Sequence, residues 1–434
     1  MKSYSHWLAI LPLFFPFYLV KLEVFGIPTT LLEVLIGVVA LVGIGGFLRL
    51  KSFRSWFLNQ KRNWVWKPSW PVLLFLIAAT VSMLIVPLET LDVNGDSVES
   101  ARIAQGVWKA WIVMPMVYFF MLIVGAKDRG FWTNTCRALL VSGLALSIWA
   151  VYQMVTGDYL TIDGRASGPF ESANYLSLYL APILFFAFVD GYYKLKSKEV
   201  PVAWKALWLL VVLVMMVAFW GTQSYAGFIA LGVGIVFYGM LHPHIPKRHK
   251  WTAFGLGLIV ALGLLFTQVH TEKFQEFLDF ENRTSSSVRI EVYEIATTLI
   301  AQHPISGIGL GQFEVQYQVN APIILGQPPY EWVMIHPHNL FFAFWLNVGL
   351  FGLLAMVWLL FIAFVQGWPQ REGFLKGLFS KIDVWRHGPN LNYRWVALAM
   401  LVVILTHGLF DTPFWKNDLA YLWWFVLAMI FVED

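Results

Sequence analysis

Residues 338–366 read HNLFFAFWLNVGLFGLLAMVWLLFIAFVQ, a run of 29 residues without one Asp, Glu, Lys or Arg. A helix crosses the hydrocarbon of a bilayer with about 20 predominantly apolar residues. One that is apolar on every face belongs either in a large core or in lipid. The rest of the chain decides between the two. Its 434 residues are 58% hydrophobic and only 13% charged, with a mean hydropathy of +0.64. A soluble domain carries about 25% charge and about 45–50% apolar residues. That much apolar surface cannot be hidden in a soluble fold of this length, so the reading is an all-α, polytopic integral membrane protein.

Working outward, runs of sufficient length give twelve candidate transmembrane helices, near 6–21, 28–49, 69–88, 102–125, 137–156, 174–192, 204–220, 223–241, 251–270, 338–366, 395–411 and 417–432. The first has no small-residue cleavage site behind it and reads as a retained helix. Together they make residues 1–434 one transmembrane domain. If the N-terminus is cytoplasmic, 22 of the 30 Lys and Arg fall on the inner side, at least three in every inner loop. This is the positive-inside pattern, and it puts both termini in the cytoplasm. Only Lys21, Arg102, Lys109, Arg165, Lys273, Arg283, Arg289 and Lys416 remain outside or within spans.

The one long outer segment, 271–337, exceeds the usual loop several-fold, and loops beyond about 15 residues are commonly functional. Val288, Val292, Ile295, Leu299 and Ile300 form an apolar stripe over 288–301, so an amphipathic helix is expected there, capped by Ser285, Ser286 or Ser287. The segment reads as a folded loop on the outer face. The single cysteine, Cys136, excludes an internal disulfide framework and a Cys-based metal site. The net charge of +4 is small.

Two groups of residues could carry chemistry. His336-Pro337-His338-Asn339 lies where the loop meets the tenth span, and histidine suits proton transfer near neutral pH. A zinc site there would need further ligands, for which only Glu331 and His303 are candidates. Arg165, Arg283 and Arg289 are the second group. Arginine offers a fixed fork of donors that matches phosphate oxygens. Three of them in outer loops beside a histidine point to a phosphate or pyrophosphate site. Asp411 could orient a base or bind sugar hydroxyls, and Asn174 reads as an N-cap and a substrate contact. Gly307, Gly309 and Gly311 would let backbone approach a ligand closely, without a dinucleotide or P-loop signature. Glu33, Lys109 and Asp190 lie in or at the ends of spans with no evident partner in the sequence. Such groups are costly in lipid, and a transporter or channel would work through them.

Several of these segments together resemble the O-antigen ligase superfamily, which includes O-antigen polymerases and bacterial protein O-oligosaccharyltransferases. Arg165-Ala-Ser-Gly168-Pro-Phe170-Glu-Ser-Ala-Asn174 is similar to its Arg-x-x-Gly-x-Phe…Asn segment. Gln223-Ser224-Tyr225-Ala226-Gly227 falls where the family has Ser-Arg-Gly. Arg289-Ile-Glu-Val-Tyr293, followed by His303 to Phe313, resembles its Arg…Trp…Pro-x-x-Gly-x-Gly-x-Gly-x-Phe stretch. His338-Asn339 with Gly349 and Gly352 resembles the His-Asn…Gly-x-x-Gly signature closing the large periplasmic loop. The order and spacing agree over 160–415. Two positions depart from the pattern: Tyr225 replaces an arginine, and Asn347 stands where many members have Glu.

The resemblance implies a GT-C-like frame of about twelve helices with one large folded periplasmic loop, in the bacterial inner membrane. It implies transfer of a glycan from an undecaprenyl-pyrophosphate donor to an acceptor hydroxyl, with inversion and without metal or other cofactor. His338, Arg289 and Arg165 would be catalytic, and Arg283, Asn174, His336, Asn339 and Asp411 would bind substrate. The implied partners are the lipid-linked glycan donor, a lipid, glycan or protein acceptor, and membrane lipids, with no nucleic acid. A surface-polysaccharide polymerase and, outside this class, a polytopic transporter are the alternatives.

Overall fold

The computed structural model describes residues 2–49, 62–87, 90–93, 96–126, 129–241, 248, 250, 251, 254, 255, 284–368 and 391–432. In chain order the first half comprises α1 (Lys2–Ile10), a 3₁₀ stretch (Leu11–Leu19), β1 (Lys21–Val24), β2 (Ile27–Thr30), α2 (Leu31–Arg49), α3 (Arg62–Leu84), β3 (Thr90–Val93), β4 (Asp96–Glu99), α4 (Ser100–Val107), a π-helical turn (Trp108–Val113), α5 (Met114–Gly125) and α6 (Arg129–Thr156). There follow α7 (Ala173–Lys196), α8 (Val202–Gly221), α9 (Tyr225–Leu241), α10 (Ser285–Gln302), α11 (Phe313–Leu325), α12 (Leu340–Gly367), α13 (Tyr393–His407) and α14 (Asn417–Phe431).

Five helical stretches are long and apolar enough to cross a membrane: 100–125, 129–156, 173–196, 202–221 and 340–367. Six shorter apolar helices lie at the positions of six further expected spans. The expected ninth span, 251–270, lies almost wholly outside the described residues, as do 271–283 of the loop. The first span departs from a straight helix. Pro12 and Pro16 remove backbone donors, and the chain continues as a 3₁₀ stretch. The all-α expectation also needs correction. Two short antiparallel hairpins follow the first and third spans, pairing Lys21 with Thr30 and Thr90 with Glu99. In the first, Phe25 and Gly26 both have positive φ (52° and 77°), the geometry of a tight two-residue hairpin turn.

The centre of the bundle is α14, whose residues from Asp418 to Phe431 are all buried. An apolar helix buried all round needs partners on every side, and it packs on α5, α12 and α13. The outermost helix is the converse case. On α8, Leu207, Leu209, Leu210, Leu213 and Met216 face outward, an apolar patch suited to lipid and unsuited to water.

Beyond the bundle, α10 and α11 pack on each other around a second core of Val288, Val292, Ile295, Leu299, Phe313, Tyr317 and Ala321. The expected stripe is therefore the buried one. Its cap is Thr284, whose side chain accepts from the Ser287 N–H while the Ser287 hydroxyl accepts from Thr284 N–H, so the cap stands one residue ahead of the three serines expected.

The loop 303–312 is fastened to α12 where that helix breaks. Gly349 takes φ 69° and ψ −178° inside α12, leaving backbone groups without helical partners. The Ile308 N–H donates to Leu346 O (2.9 Å), and the Leu350 N–H donates to Ile305 O (3.0 Å). A β-carbon on Gly307 would lie 2.4 Å from Leu346 O, and one on Gly349 2.4 Å from Ile305 O. The close backbone approach expected of the Gly307–Gly311 run is thus made to a helix kink. Asn347, at the position of the family's Glu, accepts from the Gly311 N–H at 2.8 Å.

Candidate active site

Four segments meet around His338: the turn before α12, the loop 408–416 between α13 and α14, the face of α10 that carries Arg289 and Tyr293, and the start of α7. Asn339 caps α12 because its side-chain oxygen accepts from the N–H groups of Phe341 (3.0 Å) and Phe342 (3.2 Å). It was expected to bind substrate, and the structure gives its carbonyl oxygen this local task. Its amide also donates to Leu409 O at 3.3 Å, and the Leu340 N–H donates to Gly408 O at 2.7 Å. These bonds tie the turn to the 408–416 loop. His338 itself has φ +48°, a left-handed conformation rare for a residue with a β-carbon. Backbone strain of this kind clusters where function over-determines geometry.

The tie brings His338 Nδ1 to 3.6 Å from Asp411 Oδ1. That is too long for a formed hydrogen bond, but catalytic contacts are commonly loose before substrate arrives. Asp411 is buried, with its Oδ1 accepting from the Thr412 N–H at 2.8 Å. Burial alone would raise its carboxyl. The contact with His338, with further help from His407 and Arg289, outweighs that and holds it well below the usual carboxylate range. Asp411 is therefore an anion aimed at Nδ1. A proton kept on Nδ1 leaves Nε2 as the lone-pair nitrogen.

Arg289 stands one turn before Tyr293 on α10, close enough for its charge to act on Asp411. Arg165 lies beside α7: its Nε pairs with Asp163 Oδ2 at 2.5 Å, and its Nη1 reaches Asn174 Oδ1 at 3.3 Å and Thr222 O at 3.5 Å. Asn174 is not the cap of α7, as expected. Ser172 is, accepting from the Asn174 N–H at 3.2 Å, and the Asn174 side chain is left to hold Arg165. The next residue, Tyr175, sets its ring 6.5 Å from His336. Arg283 lies outside the described residues.

His336 is buried, between Tyr175 and the Trp111 ring at 6.2 Å. Burial pushes it down to about 4, so it is a neutral packing element at neutral pH. Sequence reasoning missed Lys416. Its ammonium lies over the rings of Tyr175 (3.6 Å), Phe170 (4.5 Å) and Tyr18 (5.6 Å). Burial lowers it to about 8, against the pull of Asp418, Glu171 and Asp411. The scarcity of outer cations was a signal for it, but its rings come from two distant segments, Tyr18 from one and Phe170 and Tyr175 from the other.

The ionisable groups assigned to a transporter have partners after all. Glu33 pairs with Lys109 at 3.0 Å and accepts from Thr29 at 2.6 Å, while Lys109 also donates to Pro28 O. Asp190 pairs with Lys194 one turn on. Among the described residues no cluster of three or more His, Cys, Asp or Glu stands at metal-binding distance.

Residues 209–357 match the family model described as O-antigen ligase. The match spans Arg289, the Gly307–Gly311 run, His338 and Gly349, and it leaves Arg165, Asn174 and Asp411 outside. It supports the resemblance read from the motifs and, with the apolar helices, a multi-pass membrane glycosyltransferase of the ligase/polymerase family. No curated protein matches the chain.

Proposed function

We propose, on the premise of that family match, that the protein transfers a glycan from an undecaprenyl-pyrophosphate donor to an acceptor hydroxyl on the periplasmic face of the inner membrane, as an O-antigen ligase-like enzyme. The observation that carries the reading is His338 Nδ1 facing the buried Asp411 carboxylate, with Arg289 beside them. Asp411 holds the imidazole in the tautomer with Nε2 free. Nε2 takes the proton of the acceptor hydroxyl as its oxygen bonds to the anomeric carbon. The bond from that carbon to the pyrophosphate oxygen breaks, and the electron pair leaves with the pyrophosphate. Attack opposite the leaving group inverts the anomeric configuration. Arg289 and Arg165 would stabilise the charge that develops on the pyrophosphate, the kind of preorganised stabilisation that dominates many enzymes, and Arg283 would assist. The donor is already activated, so no nucleotide is required.

The test is transfer by purified protein in lipid nanodiscs from a polyprenyl-pyrophosphate-linked oligosaccharide. His338→Ala and Arg289→Ala are expected to fold normally and to lose transfer. Undiminished transfer in both variants would sink the reading. Product that grows on the lipid pyrophosphate itself would identify a polymerase, the second reading. Sugar on lipid A core would identify a ligase, and sugar on protein an oligosaccharyltransferase. Glu33, Lys109 and Asp190, through which a transporter would work, are each paired with a neighbouring charge.

A further inference from the structure

Tyr293 joins three of the four segments around the base: α10, the turn before α12 and the loop 408–416. It follows Arg289 by four residues on α10 and so shares its face. Its hydroxyl hydrogen is shared between two carbonyls, His338 O at 2.9 Å and Leu409 O at 3.2 Å. Its ring packs edge-on against Phe342, in the first turn of α12, with centroids 5.6 Å apart. The carbonyl it grips belongs to the residue with φ +48°. The other carbonyl belongs to the loop that carries Asp411 two residues further on.

We propose that Tyr293 is a positioning residue: its hydroxyl holds the left-handed His338 turn against the 408–411 loop and thereby sets the imidazole against Asp411. This rests on His338 acting as the base. Gripping the His338 carbonyl fixes the peptide plane that follows it, and with it the direction of the Cα–Cβ bond. Without the O–H, the bond from Tyr293 to that carbonyl is lost, and the turn is free to relax toward negative φ. The imidazole would then swing away from an Asp411 it already meets only at 3.6 Å. The same hydroxyl fixes the base relative to Arg289, so the proton acceptor and one cation of the leaving-group site move as a unit. The hydroxyl is itself no proton donor to substrate, since its one hydrogen is committed to backbone.

Tyr293→Phe removes one oxygen and keeps the ring contact with Phe342. With full-length protein in nanodiscs and a polyprenyl-pyrophosphate-linked oligosaccharide as donor, kcat is expected to fall about 10- to 100-fold, as a misplacement of about 1 Å can cost. The donor KM should stay within about twofold, because the cations that bind the pyrophosphate are untouched. A kcat within about twofold of wild type overturns the proposal, and so does a loss that falls on KM. A merely structural role lowers the amount of folded enzyme and leaves the kcat of the remainder intact. His338→Ala, run alongside, separates the two levels of inference. If it is inactive while Tyr293→Phe is normal, only the positioning role fails; if it is fully active, the base assignment fails. If Tyr293→Phe does not accumulate, 4-aminophenylalanine and 4-methylphenylalanine at 293 replace it. Their shapes are close and only the first can donate. A kcat at least about fivefold higher for the amino variant supports the proposal, and equal values overturn it.

Discussion

Two of the pairs of ionisable groups in this protein, Glu33–Lys109 and His338–Asp411, differ in a way that teaches how to tell a structural pair from a working one. Glu33 and Lys109 close on each other at 3.0 Å, and both find additional hydrogen bonds within the first hairpin. Nothing there is left unmade. His338 and Asp411 stop at 3.6 Å, on a backbone with a φ of +48° and with the imidazole partly exposed. That site is strained, incompletely bonded and open. A buried pair that satisfies itself has no capacity left for a substrate, whereas an unfinished one held in place by its surroundings has.

The sharpest way to break the comparison is to delete one member of each pair. His338→Ala is expected to lower turnover about 1,000-fold, within the usual range for a general base, with little change in thermal unfolding. Next in size is Gly307→Ala. Its β-carbon would meet Leu346 O at 2.4 Å on a backbone at φ +67°, and a cost of about 3 kcal/mol is expected from a clash of this class. Thermal unfolding measures it, and an unchanged donor KM would confirm that this glycine serves the α12 kink and not a ligand. Lys109→Met leaves the Glu33 carboxylate buried without its cation. Losing one partner of a buried pair costs about 3–5 kcal/mol, and because Lys109 is 30% exposed about 2 kcal/mol is expected. Turnover per folded molecule should be preserved, and adding Glu33→Gln should recover most of the stability. Loss of turnover in that double variant would mean that the two pairs are not different in kind.

A further effect, confined to alkaline pH, concerns Lys416. Burial puts its folded value near 8 against an ordinary 10.5, so the folded protein sheds this proton first. Between about pH 8 and 10.5 the unfolded chain binds more protons, and stability therefore rises with pH by roughly 3 kcal/mol at most. Wild type minus Lys416→Met, compared at pH 7.5 and 10.5 by thermal unfolding, should show that gain. A flat difference would place Lys416 in water.

Much of the frame was legible in advance because long apolar runs are a local property. The stripe from Val288 to Ile300 named its own buried face, and His338, Arg289 and Arg165 stood out by scarcity. The first hairpin was missed, although Phe25-Gly26 between two short extended runs carried a turn signal that the hydrophobic runs masked. Thr284 was missed as a cap because three serines beside it compete for the role with equal chemistry. The partner of Glu33 at Lys109 and that of His338 at Asp411 were out of reach for a different reason. Lys109 is 76 residues from Glu33, and Asp411 is 73 from His338, and no periodicity reports a contact across such a distance.

The amino-acid sequence by itself determined that this chain belongs in lipid, where its long apolar runs lie, and which scarce side chains could do chemistry, since each follows from composition and short-range spacing. Tertiary structure alone decided that Asp411 faces His338, that Asn174 holds Arg165, that Lys416 rests among three rings and that Tyr293 ties the base to its neighbours. These are contacts between helix ends and loops, fixed by how α10, α12, α13 and α14 pack. Packing depends on the shapes of whole faces and not on any one residue.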